Sequence, residues 1–294
     1  MKKTTGKQNI LSRIRSKYLI IAAVVIVFIV ALLTVVLSVK DSILFNSAQA
    51  KVDNSEFSAA YSELESVSGD KATALRAYVE LRLEIDREYP ALLAEYDNEK
   101  IFSWKEKVDS LTQETDYFSE KTAEEVRNLS NKLNTICSLN DEYNGMQADI
   151  LEMMDIFNEI NRLYTKDSEG HNTSFTVSEE KRKIQNWEML CGRLTDFSSR
   201  LPGGEKVYLL GYLIRETRGE LSDLQKAMNM VTQSGYSDMD IVRLSGEGQK
   251  NFPSIKNSNG VAVSVSGKDD YVKYMSSGVY KALVEYLAEY YVGM

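Results

Sequence analysis

The stretch KYLIIAAVVIVFIVALLTVVLSVK, from Lys17 to Lys40, has no charged residue between its two terminal lysines. As an α-helix, the 22 residues between them would span roughly 33 Å, close to the ~30 Å hydrocarbon core of a bilayer. A buried core helix seldom needs more than ~14 uninterrupted apolar residues. We therefore predict a transmembrane anchor at residues 18–39, with a basic tail at 1–17 before it and a stalk at 40–53 after it.

A cleaved secretory signal is the alternative to a permanent anchor. Such signals have an apolar region of about 7–15 residues, which is shorter than this one. Ala48-Gln49-Ala50 nevertheless matches the small-residue pattern of a cleavage site. The match lies well beyond Val39, whereas cleavage sites follow closely on the apolar region. The anchor is favoured, and cleavage after Ala50 stays open.

The charges on the two sides of the apolar stretch predict its orientation. Residues 1–17 carry six basic residues and no acidic residue. Because basic flanks stay on the cytoplasmic side, the N-terminus is expected inside and the rest of the chain outside the cell membrane. The last apolar segment, VYKALVEYLAEYYV, is too short for a second span and contains Lys281, Glu285 and Glu289.

The composition of the chain beyond residue 39 argues against nucleic acid as a partner. This part has all 43 acidic residues but, without the six in the tail, only 29 of the 35 basic ones. Binding to phosphates needs a basic face. The two cysteines, Cys137 and Cys191, are also too few for a disulfide framework.

Residues 54–233 have the apolar periodicity of packed α-helices. Gly69-Asp70 predicts a helix stop followed by an N-cap, a break is expected near Thr115–Lys121, and Gly235 is expected to close the last of these helices. Two further helix starts are predicted from capping boxes, at Thr122–Glu125 and Thr176–Glu179. The three prolines are expected at helix boundaries; they are Pro90, Pro202 and Pro253. The apolar pattern from Leu92 to Thr112 is read as one helix.

The longest periodic signal is a seam in a predicted helix of roughly 40 residues. Its spacings alternate between three and four, as in a helix with one narrow apolar stripe. Packing within the chain is favoured, because other amphipathic helices are at hand; self-association into a homo-oligomer is the alternative. The seam consists of Leu139, Tyr143, Met146, Ile150, Met153, Phe157, Ile160 and Tyr164.

The helices on either side of the polar loop 165–177 are expected to form an antiparallel hairpin. Residues equally distant from position 171 would then lie opposite one another. Cys137 and Cys191 would be about 21 Å apart along the axis, too far for a disulfide.

Residues 234–294 change character. A Gly- and Ser-rich loop with one short strand at Val261–Val265 is expected, followed by a helix from Asp269. Packing of the tyrosines of this segment against the helical region is favoured, and an interaction surface for a partner is the alternative. They are Tyr271, Tyr274, Tyr280, Tyr286, Tyr290 and Tyr291.

Recognisable catalytic chemistry is absent from the sequence. His171 is the only histidine and lies in a polar loop, so triads and histidine-based zinc sites are not expected. Ser178–Lys181 matches the S-x-x-K motif of penicillin-recognising enzymes, but the companion motifs are missing or in the wrong order. No catalytic residue, metal or cofactor is predicted.

The expected fold is mainly α: a transmembrane helix, then an elongated antiparallel, coiled-coil-like helical bundle, then a small loop-plus-helix region with minor β structure. The expected function is that of a single-pass membrane-anchored scaffold or adaptor. It would act outside the membrane through recognition of other envelope or membrane proteins. The alternative is an extracytoplasmic ligand-binding ectodomain that signals through a separate membrane partner.

Overall fold

The computed structural model describes residues 5–164, 169, 174–202, 208–243 and 268–291. These residues are mainly helical and include one small antiparallel sheet. The helices are α1 (Thr5–Asp53), α2 (Phe57–Leu64), α3 (Asp70–Ala94), α4 (Asn98–Thr112), α5 (Glu120–Tyr164), α6 (Val177–Arg200), α7 (Tyr208–Gln233) and α8 (Lys268–Glu285). Two strands, β1 (Ser174–Thr176) and β2 (Ile241–Arg243), form the sheet.

Helix α1 contains the apolar stretch and continues well beyond it. Its residues 24–40 are all exposed, and no proline interrupts its 49 residues. Among the described residues, α1 alone is long and apolar enough to cross a membrane. The helix also runs through residues 40–53, where Ala48 and Val52 are fully buried.

A tight turn joins α1 to α2. The Glu56 amide donates to the Lys51 carbonyl at 2.8 Å and the Ser55 amide to the Val52 carbonyl at 2.9 Å. These are the two hydrogen bonds of a Schellman motif, which places one residue in the left-handed region. That residue is Ser55, with φ at 63°. The turn lets Phe57 and Leu64 of α2 become buried, and α2 packs against α1.

The chain divides into two compact units. The first consists of Met1–Glu84 and Lys107–Asn128, and the second of Ile85–Glu106 and Leu129–Met294. In the first unit, the fully buried side chains include Leu64, Leu75, Tyr78, Val79, Val108 and Val126. In the second, they include Ile85, Ile101, Trp104, Leu129, Leu133, Ile136 and Ile150.

Several predicted helix boundaries are correct. A break at Gly69 is present, with φ at 107°, although Asp70 is the first residue of α3 and not its N-cap, because the Gly69 carbonyl accepts the Thr73 amide at 3.0 Å; Gly235 has φ at 89° just after α7 ends. Helix α6 ends at Arg200, two residues before Pro202. The break near Thr115–Lys121 is also present, because α4 ends at Thr112 and α5 begins at Glu120. Pro253 and the predicted strand at Val261–Val265 lie outside the described residues.

Two predicted boundaries are wrong. Pro90 lies inside α3 instead of ending it. Tyr89 and Leu92 on either side are buried, and this packing offsets the backbone hydrogen bond that proline removes. The pattern from Leu92 to Thr112 is not one helix, because α3 ends at Ala94 and α4 begins at Asn98. The Asp97 carboxylate accepts the Lys100 amide at 3.1 Å and so caps the start of α4.

The predicted capping boxes have different outcomes. Helix α5 is capped by Ser119, whose Oγ accepts the Thr122 amide at 3.1 Å, so the box at Thr122–Glu125 is wrong. Thr176 is the N-cap of α6, as predicted. Its hydroxyl donates to the Glu179 carboxylate at 2.6 Å instead of binding a helix amide.

The first amides of α6 are capped by the turn that precedes β2. The Val177 amide donates to the Asp240 carbonyl at 3.3 Å, and the Ser178 amide donates to the Asp238 carbonyl at 2.9 Å. This turn leads into β2, which pairs antiparallel with β1 and places Phe175 opposite Val242. The sequence did not predict either of these three-residue strands.

Ion pairs join α5 and α6 in an antiparallel register. They connect Arg200 to Glu142, Arg193 to Asp149 at 3.0 Å, and Lys183 to Glu159. In each pair, the two residues are equally distant in sequence from position 171, as expected for an antiparallel hairpin. Cys137 and Cys191 are not joined by a disulfide. Helix α6 also packs against α7 and β1, and α7 contacts α8.

A charge at the buried position 150 tests the packing of α5. Ile150 is fully buried, whereas Ala148 on the same helix is exposed. Ile150→Asp should destabilise the protein by about 3–5 kcal/mol, because it removes a buried side chain and buries a carboxylate. Ala148→Asp adds the same charge at the surface and should lower stability by less than about 1 kcal/mol, mainly through the lower helix propensity of aspartate. Thermal unfolding followed by circular dichroism measures both, and equal tolerance would contradict the packing.

Glycine at position 55 should stabilise the turn between α1 and α2. Ser55→Gly relieves a left-handed backbone conformation and should raise stability by about 0.5–1 kcal/mol. The same change at Ser62, inside α2, should lower stability by about 0.5 kcal/mol, because glycine is a poor helix former. Urea unfolding of both variants should therefore show shifts of opposite sign. Shifts of the same sign would contradict the conformation described for Ser55.

Candidate functional site

The end of α1 meets the beginning of α5 in a cluster of polar side chains. The Asp53 carboxylate accepts hydrogen bonds from the Ser119 hydroxyl at 2.6 Å and from the Thr122 hydroxyl at 2.9 Å. Because the N-terminus of a helix carries unpaired amides and partial positive charge, it favours a carboxylate at this place. Ser119 and Thr122 therefore both cap α5 and bind the last turn of α1.

Gln49, one turn earlier on α1, adds a second set of contacts. Its side-chain amide donates to Thr122 Oγ1 at 2.9 Å, and its carbonyl accepts the Ser119 backbone amide at 3.2 Å. Lys121 donates to the main-chain carbonyl of Asp53. Thr122 is fully buried within this network. We call the five residues Gln49, Asp53, Ser119, Lys121 and Thr122 the α1–α5 junction.

A second contact holds the same end of α1 against α2. Lys51 and Glu63 form an ion pair at 2.5 Å. The hydrogen bonds from Lys51 and Ser47 hold the pKa of the Glu63 carboxyl below its usual value. The last two turns of α1 are thus bound to α2 on one side and to the start of α5 on another.

A buried cation lies in the same unit as the junction. Arg82 is 5% exposed, and its guanidinium lies 4.3 Å from the centre of the Phe57 ring. It donates to the Tyr78 hydroxyl at 2.9 Å and contacts the Glu125 carboxylate at 3.3 Å. The Tyr78 hydroxyl also donates to Glu125 at 2.8 Å. Burial raises the pKa of Tyr78, so this phenol remains a neutral hydrogen-bond donor.

The structure places three of the six C-terminal tyrosines against other segments of the second unit and buries a fourth. The Tyr280 ring stacks on Tyr96 at 4.4 Å, and the Tyr280 hydroxyl donates to Asn144 at 3.2 Å. Tyr291 stacks on Tyr89 at 4.8 Å. The Lys132 ammonium lies 4.0 Å from the centre of the Tyr286 ring, and Tyr290 is 5% exposed. Tyr271 and Tyr274 belong to α8, but their side chains lie outside the described part.

The seam residues of α5 have several environments. Tyr143 stacks on Phe197 of α6 at 5.9 Å and shares a hydrogen bond of 2.9 Å with Ser276 of α8. Ile156 and Leu163, which were not assigned to the seam, are also buried. Buried seam residues are Leu139, Tyr143, Ile150 and Met153; Met146 is half-buried, and the side chains of Phe157, Ile160 and Tyr164 lie outside the description.

The residues weighed for catalysis and metal binding have other contacts or lie outside the described structure. His171 lies outside the described residues. Lys181 of the S-x-x-K match forms an ion pair with Asp238 at 2.9 Å. Burial raises the pKa of the Cys191 thiol to about 11, so it is not ionised at neutral pH. Among the described residues, no group of three or more His, Cys, Asp or Glu side chains could hold a metal ion.

These features define a mainly helical protein with one apolar helix of membrane-crossing length, bound at its end by a capping network. No protein-family model, curated protein or solved structure matches the chain. The α1–α5 junction is therefore the feature from which a function is inferred. No motif in the sequence indicates this junction, although Ser119 lies within the predicted break.

Loss of the Asp53 carboxylate should loosen the junction. Asp53→Ala leaves the Ser119 and Thr122 hydroxyls without their acceptor and removes a negative charge from a helix N-terminus. It should destabilise the protein by about 1–2 kcal/mol, because caps and charge-assisted hydrogen bonds contribute about this much. Thermal unfolding in detergent should show a Tm lower by about 3–6 °C.

Asp223→Ala is the matched control for this change. Asp223 is an exposed aspartate on α7 whose contact is with Lys226, three residues further along the same helix. Its loss should change the Tm by less than about 1 °C, because exposed pairs contribute little. Equal effects of the two substitutions would show that the junction does not stabilise the protein.

Proposed function

We propose that this protein is a single-pass membrane-anchored scaffold or adaptor. Residues 18–39 cross the lipid bilayer, and the helical region that follows recognises other envelope or membrane proteins outside the membrane. The observation that carries this proposal is the continuity of α1. The same helix exposes an apolar surface over residues 24–40 and ends in the α1–α5 junction.

The exposed surface of α1 supports the anchor. Val27 and Phe28 are 68% and 67% exposed, and the other large apolar side chains between Val24 and Val39 are at least 49% exposed. A contiguous apolar surface of this length is unusual on a protein in water and marks a binding surface. Lipid would remove this surface from water, and the favourable free energy of that transfer is about 25 cal/mol for each Å² of apolar surface.

The junction supports a scaffold in which the anchor and the recognition region are firmly connected. A flexible linker would let the outer region move freely about its anchor. Here the helix passes directly from the apolar stretch to side chains that cap α5, and Lys51 pairs with Glu63 of α2. The proposed scaffold therefore holds α2 and the start of α5 at a fixed height above the bilayer.

The proposed architecture outside the membrane is an elongated antiparallel helical bundle. The ion pairs between α5 and α6 support it, because all have one antiparallel register. The contacts of Tyr143 with Phe197 and Ser276 support packing of the α5 seam within the chain. Partner recognition would use exposed apolar side chains, of which Met239 and Ile241 are 79% and 70% exposed.

A ligand-binding sensor is the second candidate function, and one cleft favours it. The cleft lies where α3 ends and α4 begins, with a volume of about 390 Å³, within the range of small-molecule sites. Its lining includes Glu88, Tyr96, Asp97 and Lys100. Lys100 pairs with Glu88 at 3.0 Å and holds the pKa of that carboxyl below its usual value. A small cationic ligand would suit this mainly acidic lining.

Protease accessibility tests the proposed orientation. The basic tail predicts an N-terminus inside and residues 41–294 outside. Protease added to spheroplasts that express the full chain should digest a C-terminal tag and spare an N-terminal one. Protection of the C-terminal tag until the membrane is permeabilised would contradict the orientation. A mature N-terminus at Lys51 would replace the anchor by a cleaved signal.

Affinity purification of the intact, membrane-inserted chain separates the two candidate functions. A scaffold should bring down a set of envelope proteins, whereas a sensor should bring down one multi-span partner. The control is a chain that keeps residues 1–53 and lacks the rest, because it has the anchor without the recognition region. Partners recovered equally with this control would bind the anchor alone and contradict the scaffold.

A further inference from the structure

Glu180, in the first turns of α6, is a carboxylate buried without hydrogen-bond partners. Its side chain is 0% exposed, and neither carboxylate oxygen has a hydrogen-bond partner. Buried carboxylates in native proteins are normally hydrogen-bonded or paired, because an isolated buried charge is strongly unfavourable. A neutral, protonated carboxyl at this place is much less unfavourable than a charged one.

The nearest cation to Glu180 is already engaged by another carboxylate. Lys183 Nζ lies 3.8 Å from Glu180 Oε2, too far for a hydrogen bond, and the same nitrogen donates to Glu159 of α5. Burial opposes the charge on Lys183, but Glu159, Glu180 and Glu179 outweigh it and raise the pKa of the lysine. One lysine therefore stays charged and serves two carboxylates.

The other charged groups near Glu180 do not compensate its charge. Glu159 on α5 and Glu179 on α6 repel it. Asp238, in the turn that caps α6, is 68% exposed and paired with Lys181. Asp240, in the same turn, accepts the Ser237 amide. The neighbouring elements α7 and β1 bury apolar side chains, among them Met228 and Phe175.

We propose that Glu180 is a proton-operated latch. Uptake of one proton from solvent by its carboxyl tightens the packing of the first turns of α6 against α5 and the β1–β2 ribbon, and loss of that proton loosens it. The device adds regulation by pH to the molecule and is independent of the proposed anchoring role.

The direction of the pH effect follows from the burial. Desolvation raises the pKa of Glu180 above that of an ordinary glutamate, with Glu159 and Glu179 acting in the same direction and Lys183 opposing them. The folded state thus holds this proton more tightly than the unfolded state. The stabilisation is fully present below the ordinary glutamate pKa and is lost as the pH rises through the raised value. Carboxyls with a lowered pKa, such as Glu63 and Glu179, act in the opposite direction.

Hydrogen exchange at α6 measures the latch locally. The full chain in detergent micelles is compared at about pH 5 and about pH 8, with rates corrected for the intrinsic pH dependence of exchange. In the unaltered protein, protection of amides in residues 179–187 should be several-fold lower at the higher pH. In Glu180→Gln, protection should be high and nearly equal at both pH values, because glutamine is neutral and of the same size.

Two further variants make the test specific. Glu188→Gln, an exposed change on the same helix, should keep the pH dependence of the unaltered protein. Lys183→Met removes the cation that favours charged Glu180, so the loss of protection should begin at a higher pH. A purely structural ion pair would instead weaken α6 at all pH values. Persistence of the pH dependence in Glu180→Gln, or its absence from the unaltered protein, would overturn the proposal.

Discussion

The contact between the Asp53 carboxylate and the N-terminus of α5 is the interaction on which the described arrangement around α1 depends. Two helix ends of opposite polarity meet there. The partial positive charge of α5 faces Asp53, while Lys121 donates to the carbonyl of the same residue at the negative end of α1. The end of α1 supplies an acceptor to the start of α5, and the start of α5 supplies a donor to the end of α1. The Schellman turn at Ser55 then reverses the chain, so that α2 packs against α1.

Features of the sequence that depend on near neighbours were predicted well. Residue types close together in the sequence are enough to predict these features, which are the apolar stretch, the glycines at 69 and 235 and the cap at Thr176. The predicted cap of α5 was wrong because Thr122 has a glutamate three residues later, as a capping box requires, whereas Ser119 has Thr122 at that position. The tertiary structure selects Ser119, since Glu125, the residue that would complete the other box, is bound to Tyr78 and Arg82.

The junction itself could not be predicted from the sequence. Asp53 and Ser119 are far apart along the chain, and neither belongs to a motif that indicates the other. The strands β1 and β2 could not be predicted either, because three residues are too few for a periodic signal. Pro90 shows the reverse case, in which a strong local signal for a helix end is overridden by the burial of Tyr89 and Leu92. For the tyrosines of the C-terminal segment, the sequence favours packing over a partner surface, and the structure shows contacts with α3, α5 and the connection after α3 for several of them.

The uninterrupted course of α1 has a consequence for insertions and deletions. Each residue of an α-helix turns the chain by about 100° and advances it by about 1.5 Å. In the proposed arrangement, one residue added between Lys40 and Ser47 would swing Gln49 and Asp53 around the helix axis by more than a quarter of a circle, whereas four added residues would nearly restore their bearing. The number of residues in this short segment therefore sets the angle between the junction and any one side of the apolar part of α1.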